Sequence, residues 1–405
     1  MIIPLSAAAA GTCGGKAGAL GALLRAGLPV PDGFVVPFAA TARMAGEGPV
    51  DGTVIETLER ALGELGDPHV AVRSSAADED GGTASAAGQY ESFLGVRGAG
   101  EVAGAVRACR ASMSSPRAEG YRAARAHGGP PPGDPAMAVI VQRHLDAEVS
   151  GVMFTPAAPG GATEIEVSWG LGLGVVGGTV TPDAYRVGAD GSVTVTVADK
   201  RTRADRHGTR VVTGDVPADA RNRPALDDAT ATRLAALGGE IAALFGGRQD
   251  VEWAIADGRI WILQARPVTA APPPRPPSHD PGVSAAVLTG TPGSRGTATG
   301  AARIVRGPRD FARVRAGDIL VCPFTDPAWT PLLGLAAGVV TETGGVLSHA
   351  AIVAREYGIP AVLGVPAATN RLGDGAVVIV DGAAGTVTPT DGKEPDAPPG
   401  RAARL

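Results

Sequence analysis

A proline-rich stretch divides this sequence into two parts. Residues 270–281 read AAPPPRPPSHDP. Proline fixes φ near −65° and has no backbone N–H to donate, so such a stretch forms neither a helix interior nor a central strand. At about 3.1 Å per residue an extended, polyproline-like segment of this kind spans roughly 35 Å. The sequence therefore predicts two folded units joined by a semi-rigid linker, which we place at residues 270–285.

The part before the linker, residues 1–269, alternates helical and strand-like patterns. Two apolar runs flank Asp257-Gly258, a pair typical of a two-residue hairpin turn. This part is predicted to be α+β with an antiparallel sheet. The predicted helices are Gly18–Ala26, Val54–Leu65, Val102–Met113 and Leu226–Phe245, and the predicted strands include Val70–Arg73, Ala138–Gln142, Gly151–Phe154, Ile165–Ser168, Val251–Ile255 and Ile260–Gln264.

The part after the linker, residues 286–390, reads as a compact α/β domain of common size. Short apolar strands alternate with helical segments such as Ala350–Tyr357. The last residues, 391–405, are polar and proline-containing, so we predict a disordered tail.

Composition excludes several classes of protein. The net charge of −5 gives no general attraction to nucleic acid or to an anionic membrane. The three cysteines form no CxxC pair, which indicates neither a zinc site nor a disulfide framework. Neither a signal-peptide pattern nor a membrane-spanning apolar run is found. These features predict a cytoplasmic enzyme.

The stretch most informative about chemistry is Thr341–Gly364, TETGGVLSHAAIVAREYGIPAVLG. His349 stands at the predicted start of a helix, where unpaired N–H groups favour an anion. A neutral imidazole there is a plausible nucleophile toward phosphorus, with backbone amides holding the phosphoryl oxygens. The alternatives are a structural or helix-capping histidine and a hydrolytic Ser348–His349 pair. Adjacent helical residues do not face each other, which argues against the pair.

This stretch resembles the phosphohistidine signature of the phosphoenolpyruvate-utilising family, which includes phosphoenolpyruvate synthase, pyruvate phosphate dikinase and rifampicin phosphotransferase. Residues Thr291–Val305 and Ile319–Gly345 are similar to the same family. The resemblance implies that His349 is phosphorylated and that residues 286–390 form a swivelling phosphohistidine domain of the β/β/α type.

The first part of the chain resembles the ATP-grasp nucleotide-binding domain of the same family. The resemblance implies a two-lobed ATP-grasp domain at residues 1–269, with ATP and Mg²⁺ as cofactors. The matching pieces, in family order, are Gly14–Val36, Val72–Asp80, Gly88–Val96, Val139–Thr155, Gly170–Asp183 and Gln249–Thr269.

Three residues are predicted to bind the nucleotide. Lys16 is a flexible point charge that can reach phosphates, and Arg73, at a predicted strand end, offers a planar fork for phosphate oxygens. Gln142 matches the family's adenine-contacting hinge. The alternatives are a solvated lysine, an ordinary salt bridge and an exposed glutamine. The small-residue loop at Gly81-Gly82 either covers the phosphates or is an ordinary surface loop.

The predicted hairpin carries the other candidates. Glu252 and Gln264 lie on its two arms and match the family's Mg²⁺ ligands, and Mg²⁺ prefers oxygen ligands. Arg266 projects to the same face of an extended strand as Gln264 and is expected to meet the same phosphates. Together with His349 and Arg73, Arg266 completes the predicted catalytic set.

The sequence departs from the family in three respects. Leu173 stands where members commonly have Glu. If that glutamate assists nucleotide or metal binding, its role is either lost here or taken over by Glu164 or Glu166. Leu347 stands where pyruvate-handling members usually have Thr. No acceptor-binding domain is recognisable in the sequence.

The implied cycle is attack of His349 on the β-phosphorus of ATP, release of AMP and phosphate, and delivery of the phosphoryl group to an acceptor. The expected acceptor is a small hydroxylated metabolite. The first alternative is a phosphocarrier subunit whose acceptor domain is a separate protein. A further alternative is a catalytically silent relative that binds nucleotide or a partner.

Overall fold

The computed structural model describes residues 2–44, 46, 48, 50–77, 79, 90–115, 118–119, 136–158, 160–269 and 287–390. The predicted linker at 270–285, the tail at 391–405 and the loop at Gly81-Gly82 lie outside the described residues.

The described chain contains helices and strands in close alternation. The α-helices are α1 Ala10–Arg25, α2 Phe38–Arg43, α3 Gly52–Glu64, α4 Ala99–Ala111, α5 Leu173–Val176, α6 Asp228–Phe245, α7 Thr330–Leu333, α8 His349–Tyr357 and α9 Ala368–Arg371. Short 3₁₀ helices lie at Leu5–Ala7, Ser112–Ser114, Pro308–Arg313 and Pro327–Trp329.

The strands before residue 270 are β1 Ile3–Pro4, β2 Gly33–Val36, β3 Val70–Ala76, β4 Ser92–Val96, β5 Met137–Arg143, β6 Val149–Phe154, β7 Thr163–Trp169, β8 Asp183–Val187, β9 Val193–Thr196, β10 Thr202–His207, β11 Arg210–Asp215, β12 Gln249–Ala256 and β13 Arg259–Pro267. The strands after residue 286 are β14 Leu288–Thr289, β15 Thr291–Ser294, β16 Thr297–Ile304, β17 Ile319–Cys322, β18 Gly338–Thr341, β19 Ala361–Leu363, β20 Val377–Asp381 and β21 Thr386–Pro389.

Two antiparallel sheets form the first half of the chain. One has the order β1-β2-β5-β3-β4 and the other β13-β12-β6-β7-β8-β9. A shared apolar core joins them, with Leu20 of α1, Leu234 of α6 and Trp253 of β12 all buried. The opposite face of the five-stranded sheet packs against α3 and α4 through Leu62 and Val106. The predicted antiparallel α+β architecture is confirmed.

A hairpin of β10 and β11 connects the two sheets, and the sequence did not predict it. Leu171 N donates to Ala204 O of β10 at 2.8 Å. Arg206, also on β10, forms an ion pair with Asp146, which follows the five-stranded sheet's central strand β5. The hairpin therefore lies across the cleft between the two lobes.

The second half of the chain forms one eight-stranded sheet of order β14-β21-β20-β16-β17-β18-β19-β15. The central strands β16 to β19 are parallel, and the flanking pairs are antiparallel. Apolar cores lie in two clusters, one of which includes Ala351 of α8 and Val339 of β18. The predicted α/β character is confirmed. None of the helices in the described ranges combines the length and apolar character that spanning a bilayer requires.

Candidate active site

A cavity of about 480 Å³ lies between the two sheets of the first half, and residues of the second half also line it. Its lining includes the seven residues that the sequence singled out, namely Lys16, Arg73, Gln142, Glu252, Gln264, Arg266 and His349. These residues are up to 333 positions apart in the chain, from 16 to 349, so only the fold brings them together.

Two oxygen-bearing side chains converge on one point of the cavity wall. Glu252 of β12 and Gln264 of β13 are direct partners across the hairpin. Glu252 Oε2 and Gln264 Oε1 both accept hydrogen bonds from Arg73 Nη2, at 3.3 and 2.7 Å. Arg73 lies inside β3, which runs to Ala76, and not at a strand end as the sequence predicted.

This donor set fits Mg²⁺. The described residues hold no group of three or more His, Cys, Asp or Glu side chains arranged for a metal. A carboxylate and an amide oxygen suffice for Mg²⁺, which usually keeps waters and takes its remaining ligands from phosphates. Glu252 and Gln264 would hold the ion.

Arg266 is held in place by a carboxylate that the sequence analysis did not single out. Arg266 Nε donates to Asp250 Oδ2 at 2.9 Å, and Nη2 lies 2.8 Å from the same oxygen. Burial raises the pKa of Asp250, and the guanidinium of Arg266 opposes that rise. The pair fixes the direction of the Arg266 side chain at the cavity wall.

Lys16 is also paired. Lys16 Nζ donates to Glu79 Oε1 at 2.6 Å and to Ser74 O at 3.2 Å, and its side chain is buried. The interruption of α1 at Gly14, where φ is 81°, lets the helix approach β3 closely. A Cβ at Gly14 would collide with the backbone carbonyl of Ser75, so this position requires glycine.

The other end of the cavity is apolar. Gln142, 2% exposed, donates its amide to Pro31 O at 3.0 Å and ends β5 together with Arg143. Alongside, Ala147, Leu171 and Ala254 form a small buried cluster. An apolar slot beside a strand end suits a planar base, with the charged residues left for phosphates.

His349 is the first residue of α8, as the sequence predicted, and it is 4% exposed. Its Nδ1 lies 3.0 Å from Thr325 Oγ1, and its Nε2 lies 3.4 Å from Thr330 Oγ1. Ser348 directs its hydroxyl to Gly345 O at 2.8 Å. The Ser348–His349 pair considered from the sequence is therefore not formed.

The loop before His349 packs against the first half of the chain. Leu347 joins an apolar cluster with Val152, Phe154 and Val180. The Thr343 hydroxyl donates to Gly178 O at 2.7 Å. These contacts place His349 against the cavity in the present arrangement.

The residues near the Leu173 departure lie apart from one another. Leu173 is 50% exposed and borders the cavity at the start of α5. Glu164 pairs with Arg186 on the surface at 3.2 Å. Glu166 accepts hydrogen bonds from the backbone of the His349 loop. Glu164 thus contacts Arg186, and Glu166 contacts the loop before His349.

Sequence reasoning missed Asp250, Glu79, Thr325 and Thr330 as site residues. Each lies within a stretch that resembled the family, such as Gln249–Thr269 or Val72–Asp80. Their location within these stretches was the sequence feature that could have identified them. Their roles became visible only from the side chains that they contact.

Two family models match this chain. Residues 42–279 match the pyruvate phosphate dikinase AMP/ATP-binding domain, and residues 314–385 match the PEP-utilising enzyme mobile domain. A probable phosphoenolpyruvate synthase of Methanothermobacter thermautotrophicus is 37% identical, with 93% of this chain and 61% of that protein covered. Another, from Archaeoglobus fulgidus, is also 37% identical, with 92% of this chain and 56% of that protein covered.

The two matches define the class of protein by its domains, an AMP/ATP-binding domain of the pyruvate phosphate dikinase type followed by the mobile domain of PEP-utilising enzymes. The chain belongs to the phosphoenolpyruvate synthase and pyruvate phosphate dikinase family, whose enzymes use ATP and Mg²⁺. It spans little more than half the length of the two relatives named above. Among solved structures, the ATP-grasp ligase PsnB with its minimal precursor is 13% identical with a TM-score of 0.26, over 62% of this chain and 51% of that chain. That likeness is too low to support an argument.

Proposed function

We propose that this chain transfers the β-phosphoryl group of ATP to His349 and from there to an acceptor. The observation that carries the proposal is that His349 lines the same cavity as Arg73, Arg266 and Glu252. A nucleophile and its charge-stabilising groups are thereby held around one volume, as in-line phosphoryl transfer requires.

In the first step His349 attacks the β-phosphorus, and the bond to the α-phosphate oxygen breaks so that AMP leaves. Water then cleaves the β–γ bond and releases phosphate, which leaves one phosphoryl group on the imidazole. Arg73 and Arg266 neutralise the negative charge that develops on the transferred group. Mg²⁺ held by Glu252 and Gln264 would supply further neutralisation of the phosphates.

We assign to His349 the tautomer in which the proton is on Nδ1. When Nδ1–H donates to Thr325 Oγ1, 3.0 Å away, Nε2 carries the lone pair that attacks phosphorus. Thr330 Oγ1, at 3.4 Å from Nε2, forms only a long contact that an incoming phosphorus replaces. We expect Nε2 to be the phosphorylated nitrogen.

The acceptor that we propose first is a small hydroxylated metabolite. The cavity described above is occupied by ATP in this scheme, so the acceptor must be met elsewhere. A second candidate is a phosphocarrier whose acceptor domain is a separate protein. Exposed apolar side chains on the histidine domain favour it, since Leu335 is 47% and Tyr357 38% exposed and the Tyr357 ring lies beside Gly334, the residue before Leu335.

The test of the proposed function is incubation of the purified chain with Mg²⁺ and ATP labelled at the β-phosphate. We expect acid-labile label on the protein and formation of AMP. His349→Ala should abolish the label while leaving ATP binding nearly intact. Undiminished labelling of His349→Ala, or ATP binding by the wild type with no label and no AMP, would contradict the proposal.

A further inference from the structure

A carboxylate of the nucleotide-binding half binds the backbone of the loop that precedes His349. Glu166 lies on β7 and is 3% exposed. Its Oε1 accepts a hydrogen bond from Val346 N at 2.7 Å, and its Oε2 accepts one from Leu347 N at 3.0 Å. One side chain therefore connects the two halves of the molecule directly beneath the helix that begins at His349.

Both surfaces are shaped for this close approach. A Cβ on Gly345 would collide with both carboxylate oxygens of Glu166, so only glycine admits the contact. The adjacent Gly344 has φ of 104°, a conformation that other residues rarely adopt. Gly344 N also donates to Val180 O at 3.2 Å, which keeps the loop flat against the nucleotide-binding half.

The charge of Glu166 is compensated within the same contact. Arg355, on α8, donates Nη1 to Val346 O at 2.8 Å. Burial lowers the pKa of Arg355 to about 10, and among the groups that oppose this decrease the nearby Glu166 carboxylate has the largest effect. Hydrogen bonds to an ionised acceptor are about twice as strong as those between neutral groups. The contact is therefore a strong one that exists only while the two halves are together.

We propose that Glu166 is a positioning residue that holds the phosphohistidine loop against the ATP cavity. The described residues that line the cavity do not include Glu166, so it acts on phosphorylation through the placement of His349. The kinetic part of this proposal rests on the proposed function. The docking part does not, because it concerns a contact that forms without nucleotide.

The kinetic test uses Glu166→Gln, which keeps the size of the side chain but turns an NH₂ group toward one of the two amides. We expect phosphorylation of His349 at saturating MgATP to slow about tenfold or more, with ATP affinity unchanged within about twofold. Glu164→Gln is the matched control. Glu164 lies two residues earlier on β7 and contacts Arg186 on the surface, so this variant should label like the wild type.

The docking test is amide hydrogen exchange of the peptide containing Val346 and Leu347, measured without nucleotide. We expect exchange to rise about tenfold in Glu166→Gln and to stay at the wild-type level in Glu164→Gln. Gly345→Ala disturbs the same contact from the other side and should reproduce both effects. It serves as the test variant if Glu166→Gln does not fold.

The outcomes separate the two proposals. Unchanged exchange in a folded Glu166→Gln or Gly345→Ala protein would overturn the docking role of Glu166. Raised exchange with undiminished labelling would overturn its kinetic role. Failure of the wild type to label at all would refute the proposed function, yet the exchange comparison would still decide whether Glu166 holds the loop.

Discussion

Replacing Asp250 with Asn should reveal how strongly Arg266 depends on its partner. Both side chains are 8% exposed, and a single oxygen of Asp250 takes two contacts from the guanidinium, at 2.9 and 2.8 Å. Breaking a fully buried ion pair by removing one partner costs about 3–5 kcal/mol. Because this pair borders a cavity that water can enter, and because burial raises the pKa of Asp250 despite Arg266, we expect Asp250→Asn to lower the free energy of unfolding by no more than about 1 kcal/mol.

A double-mutant cycle with Arg266→Met measures the interaction itself. Arg266→Met leaves the Asp250 carboxylate buried, and burial already raises its pKa. When the pKa of a carboxyl group is higher in the folded than in the unfolded state, ionisation of that group lowers the free energy of unfolding. This variant should therefore lose stability as the pH rises above about 4. The double variant removes both charges and should be less destabilised than the sum of the single variants by about 2 kcal/mol.

The assay is urea unfolding of the wild type, both single variants and the double variant at pH 7, with and without MgATP. Phosphate binding to Arg266 should recover part of the loss in Asp250→Asn. Phosphorylation should fall about 10- to 100-fold in that variant, since the direction of Arg266 is no longer fixed. Additive effects in the double variant would refute the reasoning that Asp250 acts through Arg266.

Three further predictions concern other parts of the site. Glu252→Ala should weaken Mg²⁺-dependent ATP use without unfolding the protein, and wild-type turnover by a folded variant would show that Glu252 is no metal ligand. Gly14→Ala should lower the free energy of unfolding by about 2–3 kcal/mol and weaken ATP binding, because φ is 81° and the new methyl meets the Ser75 carbonyl. Gly11→Ala, with open space around its Cβ position, is the control for the thermal unfolding measurement and should not destabilise. His144 lines the cavity, and burial lowers its pKa to about 4. As the pH falls, His144 therefore takes up a proton near pH 6.5 in the unfolded chain but only near pH 4 in the folded protein. The free energy of unfolding should therefore be highest above pH 6.5 and should fall by up to about 3 kcal/mol as the pH decreases toward 4. In urea titrations His144→Gln should reduce this decrease. An unchanged pH dependence in that variant would contradict its assignment to His144.

The elements that the sequence predicted well are those whose signal is local. The turn at Asp257-Gly258 joins β12 to β13 as predicted, with φ of 52° and 66°, because these residue types tolerate the left-handed conformation. The helix predicted at Leu226–Phe245 from its apolar residues is observed at Asp228–Phe245, with Asp227 as its N-cap. The strands β10 and β11 were not predicted, because their residues are half-buried or exposed and show little alternation of apolar and polar side chains.

The site shows a similar division. Residue types and positions such as Lys16 and Glu252 were accessible from motifs, whereas their partners were not. Lys16 contacts Glu79 across 63 residues and Glu166 contacts Val346 across 180. Such pairs depend on which strands become neighbours, and strand order is decided by packing over the whole molecule and not by any local pattern.

The burial of His349 has a consequence for the order of events. At 4% exposure and with its ring between Thr325 and Thr330, the imidazole reaches the ATP cavity but no acceptor outside it. Under the proposed function, delivery of the phosphoryl group therefore requires the histidine domain to leave this position. Among the described residues, the contacts that must break include the Glu166 hydrogen bonds, those of Thr343 and Gly344 to the first half of the chain, and a small apolar cluster. If the proposed function holds, a contact that positions His349 and can also break allows the same histidine to take part first in phosphorylation and then in delivery.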